Sequence, residues 1–260
     1  MKNLIQAEWR VLTKRSAARG LLLVSALVPV LVTVVLGLAS GSEMEFNGRP
    51  IREVFSFSGP HAATLSLRVR HALILPMFVL FVTGASVASE RANHMLRERL
   101  VRAVSRDALL VAKVLALLGL CSLSLAINAL VALSLGTVWM GAEGPWSSVF
   151  LGHFVSVWTD LGLIALGVFL STIFRSGAMV VVSGLLIFLF DQALNAGLSL
   201  LGFIGVGGTD AYQMFLPSTG WNAWVVMLGE EVWFSILNLI LWTIGLLFLA
   251  RHRLTKMDVP

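Results

Sequence analysis

Six long apolar stretches constrain this chain more than any motif does. A helix crosses a bilayer with roughly 20 mainly apolar residues, and such runs occupy residues 20–39, 71–89, 108–138, 149–174, 178–204 and 232–250. Of the 260 residues, 57% are hydrophobic and 13% charged, against about 45–50% and about 25% in a soluble domain. A soluble globule of this size has no interior large enough for so much apolar surface, which excludes a water-soluble enzyme. Disorder is excluded as well, because it needs low hydrophobicity. Cys121 is the single cysteine and lies in an apolar run, so a disulfide scaffold is excluded too. The expected fold is an all-α polytopic membrane protein, one domain over residues 1–260 with six spans. Charged residues precede the first run and no small-residue cleavage site ends it, so it reads as a retained span. The third and fifth runs exceed one bilayer and should tilt or protrude.

Six spans put both termini on one side, and the basic residues say which. The net charge is +5. Lys2, Arg10, Lys14, Arg15, Arg19, Arg91, Arg97, Arg99, Arg102, Arg106, Lys113, Arg175, Arg251, Arg253 and Lys256 fall on one side, 15 of the 19 basic residues. Arg49, Arg52, Arg68 and Arg70 fall on the other, with Glu43, Glu45, Glu53, Glu143, Asp210, Glu230 and Glu231. Both termini are therefore expected in the cytoplasm and the chain in the inner membrane. The surplus charge is a topological asymmetry and not a nucleic-acid surface. Trp139, Trp146, Trp221, Trp224 and Trp233 fall at the outer ends, as an interfacial belt does. The outer connections expected are a loop at 40–70, a short turn at 139–148 around Gly144-Pro145, and an apolar segment at 205–231. The inner turn Arg175-Ser176-Gly177 is very tight.

Two cytoplasmic segments are amphipathic. In residues 1–19, Leu4, Ile5, Trp9 and Leu12 recur at helical spacing among Lys2, Arg10, Lys14 and Arg15, the pattern of a helix lying on the inner leaflet. In the loop 90–107, Leu96, Leu100, Val101 and Val104 share one helical face among Arg97, Glu98, Arg99 and Arg102. Ser105 then offers a capping side chain for the next helix. A short amphipathic cytoplasmic helix suits docking into a groove of another protein, or lying on lipid.

Glu90, the Leu100-Val101 pair, the run Ala103-Val104-Ser105-Arg106, and Leu110 with Lys113 resemble the inner loop of type-2 ABC exporter permeases. Ala103 stands where that family usually has proline, and the glycine often found after the glutamate is missing. The layout of the whole chain agrees: flat N-terminal helix, six spans, basic inner loop after span two, tight inner turn after span four, basic C-terminus. The resemblance implies a coupling helix near 91–104 that docks on a separate ATPase, through Arg91, Leu96, Arg97, Arg99, Leu100, Arg102 and Val104, with a second, smaller contact at Arg175. It implies two ATPase subunits and a second permease copy, identical or a close paralogue. It also implies short re-entrant helices before the last span, where 212–229 is too apolar to stand in water.

Catalytic motifs are missing. None of Lys2, Lys14, Lys113 and Lys256 lies in a phosphate-cradling Gly-x-x-x-x-Gly-Lys-Ser/Thr. ATP and magnesium are therefore expected on the partner, with no cofactor in this chain. There is no His-Glu-x-x-His zinc pair and no Gly-x-Ser-x-Gly elbow. Glu230-Glu231 begins like an intramembrane-protease signature, but Ser235 stands where its arginine should be. No catalytic residue or metal ligand is assigned.

Ionisable residues inside a span are costly, and Asp160 in span four and Asp191 in span five stand out. Each lies about 15 residues from the turn joining those spans, roughly 22 Å along the helix, so the two face each other or share one polar cavity in the outer part of the membrane. Gln192 and Asn195 extend the patch. Two readings stay open: a polar cavity on the translocation path, or acids satisfied inside the bundle. A proton relay is weaker, because no intramembrane basic partner is evident. Span three carries Ser124, Asn128, Ala132 and Gly136 at four-residue spacing. This stripe reads as close packing within the bundle or at a dimer seam, with Asn128 kept as a candidate pathway residue.

The function expected is the permease subunit of an ATP-driven exporter, working as a dimer. The alternatives are an ATPase-linked scaffold or mechanotransmitter that moves no solute, and an intramembrane enzyme.

Overall fold

A computed structural model describes residues 1–42, 45–46, 49–50, 57–92, 105–205, 207–213, 215–217 and 232–256. Apart from a two-residue antiparallel pairing of Glu45–Phe46 with Arg49–Pro50, these residues form helices and their connections. α1 is Lys2–Thr13, α2 Ser16–Gly41 and α3 Gly59–Val69. A π-helical turn, Arg70–Ile74, leads into α4, Leu75–Thr83, and a second, Gly84–Ala88, into α5, Ser89–Ala92. Then come α6 (Arg106–Met140), α7 (Trp146–Ile173), α8 (Gly177–Phe203), the short α9 (Thr209–Gln213) and α10 (Val232–Lys256). Five helices, α2, α6, α7, α8 and α10, are long and apolar enough to cross a membrane, and the bent α3–α5 path makes a sixth if taken as one span.

Span two differs from expectation. It was expected to begin at His71; its helical path begins at Gly59. Ser58 and Pro60 explain the early start. The Ser58 hydroxyl accepts from the His61 amide, and a proline in the first helical turn loses nothing because that N–H has no helical partner. Ser-Gly-Pro reads equally as a loop signal, so the sequence alone extends the outer loop to residue 70. Arg70 is consequently not an outer-loop charge: it is buried within the bundle.

The stripe on α6 meets a matching stripe on α3, running antiparallel. A Cβ on Gly136 would come within 2.7 Å of the Gly59 Cα, and one on Gly59 within 2.7 Å of the Thr137 backbone nitrogen. Ala63 and Ala132 share one small apolar cluster. Ser66 Oγ donates to Asn128 Oδ1 at 3.1 Å, and Asn128 Nδ2 donates to Ser66 Oγ at 2.8 Å. Arg70 reaches Ser124. Small residues let the two backbones close up, and the polar pairs hydrogen-bond where no water competes.

α7 lies at the centre, with 72% of its most apolar window buried, whereas α8 has 22%. On α7, a Cβ at Gly167 would collide with Thr83, so α4 also seats against a glycine. α1 rests on protein, not on lipid alone: Leu12 joins the main core and Trp9 packs where Gly119 leaves room on α6. Past α9 the chain lies along α10, since Asn238 Nδ2 donates to the Leu216 carbonyl at 3.1 Å and Trp242 Nε1 to the Phe215 carbonyl at 3.2 Å.

One end of the bundle gathers α1, the end of α5, the start of α6, the α7–α8 turn and the end of α10. Arg106 Nη1 donates to the Leu254 and Thr255 carbonyls at 2.6 and 2.9 Å. Asp107 accepts from Arg251 at 2.9 and 2.8 Å. Ser105 caps α6 as expected, its Oγ accepting from the Ala108 amide at 3.1 Å. At the opposite end the Gly59 amide donates to the Gly141 carbonyl at 2.9 Å.

Candidate functional site

Two charged clusters lie inside this apolar framework. The first is at the crowded end. Lys113 Nζ lies 2.9 Å from Glu8 Oε2 and 2.8 Å from Glu90 Oε2, with all three side chains buried. Lys113 Nζ also donates to the Ser86 carbonyl at 3.3 Å. Arg15 Nη2 lies 3.4 Å from Glu90 Oε1, and Arg15 Nη1 donates to the Ala85 carbonyl. Two cations thus meet two carboxylates, so the cluster is neutral as a whole. It ties α1, the second π turn, α5 and α6 together at the mouth of the 93–104 loop. A buried charge left alone costs several kcal/mol, so pulling any of these charges out of the joint is costly. Glu90 and Lys113 came from the loop motif. Glu8 was missed, because a carboxylate within an amphipathic helix reads as part of its polar face.

Arg91, a docking candidate, turns back onto the bundle. Its Nη1 donates to the Ser171 carbonyl at 2.7 Å and the Phe174 carbonyl at 3.4 Å, placing a cation on the free carbonyls that end α7. Arg175, in the adjacent turn, is exposed, and the charges of Arg175 and Arg253 lie close enough to act on Arg91. These three arginines make a basic surface at this end. Leu96, Arg97, Arg99, Leu100, Arg102 and Val104 lie outside the described residues.

The second cluster lies at mid-depth. Asp160 is near the midpoint of α7, buried, and its carboxylate faces Arg70. Arg70 Nη2 donates to Oδ2 at 2.9 Å and Nη1 to Oδ1 at 3.4 Å. His71 Nε2 lies 3.5 Å from Oδ1, while its Nδ1–H donates to the Leu67 carbonyl at 2.9 Å. Arg70 Nη2 also reaches Ser124 Oγ at 3.4 Å and the Cys121 carbonyl at 3.5 Å. Ser124 in turn lies 2.6 Å from the Ser25 hydroxyl of α2. Four spans therefore meet at one ion pair. The expectation that Asp160 has no intramembrane basic partner is corrected: the partner is Arg70, hidden from sequence reading because it was assigned to a loop.

Asp191 is also near the midpoint of its helix and buried. It sits on α8, the least covered of the long helices. One and two turns further along that helix, Asn195 and Ser199 receive the Gln213 amide: Gln213 Nε2 donates to Asn195 O and Oδ1 at 3.0 and 3.1 Å and to Ser199 Oγ at 2.6 Å. Gln192 is half-buried on the same helix. Asn128, the remaining pathway candidate, is turned onto Ser66. Between α7 and α10 opens an apolar groove of about 500 Å³, lined by Phe154, Trp158, Ile236, Ile240 and others. Among the described residues no group of three or more His, Cys, Asp or Glu is arranged to hold a metal.

The sequence has a counterpart among known families. A family model described as ABC-2 family transporter protein matches residues 4–191. The chain belongs to the ABC-2 transporter family. The match runs from α1 through the first half of α8 and includes both charged clusters. No curated protein matches the sequence. Membership makes this ABC-2 protein a multi-pass membrane permease component of an ABC transporter, a class that carries transport and generally no catalysis of its own.

Proposed function

We propose that this ABC-2 chain is the membrane half of an ATP-driven exporter, pairing with a second permease copy and driven by two separate ATPase subunits. The observation that carries this reading is the Glu8–Lys113–Glu90–Arg15 joint. It joins the end of α5 and the start of α6, the two elements that flank the segment expected to dock on an ATPase, to α1. The basic surface of Arg91, Arg175 and Arg253 suits an acidic rim on such a partner. ATP and magnesium belong to the partner chain.

The crowded, basic end is assigned to the cytoplasm, with both termini, following the positive-inside rule. The polar run Asp191, Gln192, Asn195 and Ser199 on α8 is assigned to the pathway, because polar groups inside an apolar span are costly to insert and are kept where they serve a function. The stretch around Phe215 and Leu216 is assigned to a segment re-entering the membrane. Its carbonyls bond Asn238 and Trp242, roughly 9 and 15 Å along α10 from its start at 1.5 Å per residue.

Co-purification tests the reading directly. The full chain, tagged and extracted in mild detergent, should bring down a P-loop ATPase whose activity rises on reconstitution with it. Replacement of Leu100 or Arg102 should abolish that stimulation while the chain still inserts. Unchanged stimulation in both variants would remove the docking assignment. A stimulated ATPase without flux of any solute would favour the mechanotransmitter reading.

A further inference from the structure

The α3–α5 path is bent by 51° between its two halves, and the bend has a chemical cause. Pro76 has no N–H to give to the helix, and its ring crowds the carbonyl four residues earlier. The chain relieves this with a π turn, in which the Leu75 amide bonds the Arg70 carbonyl, and such turns mark kinks. The two residues that open that turn, Arg70 and His71, are the two that reach Asp160 on α7. The outer arm, α3, is held to α6 by the small-residue stripe. The inner arm, α4 and α5, leads straight into the 93–104 loop.

We propose that the Arg70–Asp160 ion pair is a lock on the hinge of span two. Closed, it fixes the angle between the arms; released, it lets the inner arm swing while the outer arm stays zipped to α6. Further polar groups already stand beside both charges. Arg70 already lies within 3.5 Å of Ser124 Oγ and the Cys121 carbonyl, and Asp160 within 3.5 Å of His71. Each charge keeps a partner when the two part, so the pair can open without baring either group to hydrocarbon. The inference rests on the proposed coupling, in that movement of the loop supplies the force on the inner arm.

The test reads hinge geometry and needs neither ATPase nor substrate, so it fails or succeeds independently of the transport reading. In a Cys121→Ser background, spin labels at Phe81 and Leu115 report the inner arm against α6, and labels at Leu65 and Leu123 report the outer arm; all four positions are exposed. Phe81 lies about 16 Å along the helix from Arg70, so a swing of about 20° displaces it by about 6 Å. The full chain in lipid nanodiscs should show one distance for each pair. The neutral double variant R70Q/D160N should add a second Phe81–Leu115 population displaced by several ångströms, with Leu65–Leu123 unchanged. The reversed pair R70D/D160R should restore the single distance. Should the amide variant not fold, R70M/D160L serves in its place. An unchanged Phe81–Leu115 distance overturns the lock. So does broadening of both pairs together, or failure of both neutral variants to fold, because the ion pair would then be a general structural staple.

Discussion

At the residue scale, the decisive groups are those whose charges hydrocarbon will not tolerate alone. Lys113 sits between Glu8 and Glu90, and removing the cation leaves two buried carboxylates with Arg15 as the one remaining cation of the joint. Lys113→Met is expected to cost about 3–5 kcal/mol, read as a clear fall in melting temperature in nanodiscs. The double variant Glu8→Gln, Lys113→Met should recover much of the loss, because Glu90 keeps Arg15 and the cluster is neutral again. The Asp107–Arg251 pair has similar lengths, but both side chains are about half exposed, at 48% and 58%. Water and salt screen it, so Asp107→Asn should leave the melting temperature close to that of the parent protein. The same comparison shows what can be read from sequence. Glu90 and Lys113 were legible because they bracket a motif. Glu8 and Arg70 were not, because an isolated charge reveals its burial only when a partner from elsewhere in the chain arrives.

At the element scale, the α3–α6 contact rests on the absence of side chains. Gly136→Val forces a Cβ against the Gly59 backbone and should lower the melting temperature strongly or prevent folding. Gly197 on α8 has nothing within 4 Å of a built Cβ, so Gly197→Ala should be tolerated, within about 1 kcal/mol. Comparing the two melting curves separates glycines that seat a neighbour from those that do not. Ser105 caps α6, and Ser105→Ala should cost about 1 kcal/mol, seen as faster amide exchange confined to the first turn of that helix. The cap and the four-residue stripe were readable because both are local spacings. The start of span two was not: Ser58-Gly59-Pro60 suits a helix start and a loop equally, and only the packing of Gly59 against Thr137 selects the helix.

At the scale of the whole molecule, the contacts of the crowded end place α1, the end of α5, the start of α6, the α7–α8 turn and the end of α10 together. With that end assigned to the cytoplasm as proposed, cysteines at Lys14, Arg175 or Thr255 should react with impermeant thiol reagents only from the cytoplasmic side, and one at Glu143 only from outside. Labelling of Arg175 and Glu143 from the same side would break the six-span arrangement. Native Cys121 is buried and should stay unreactive. The apolar runs alone determined that the chain is a helical membrane protein, because helix length and insertion cost are local sums over residues. The tertiary structure alone decided that Glu8 closes the joint, that Arg70 neutralises Asp160, and that span two is bent there. Pairing of buried charges is a property of two distant positions at once, and its energy exists only after the helices have met.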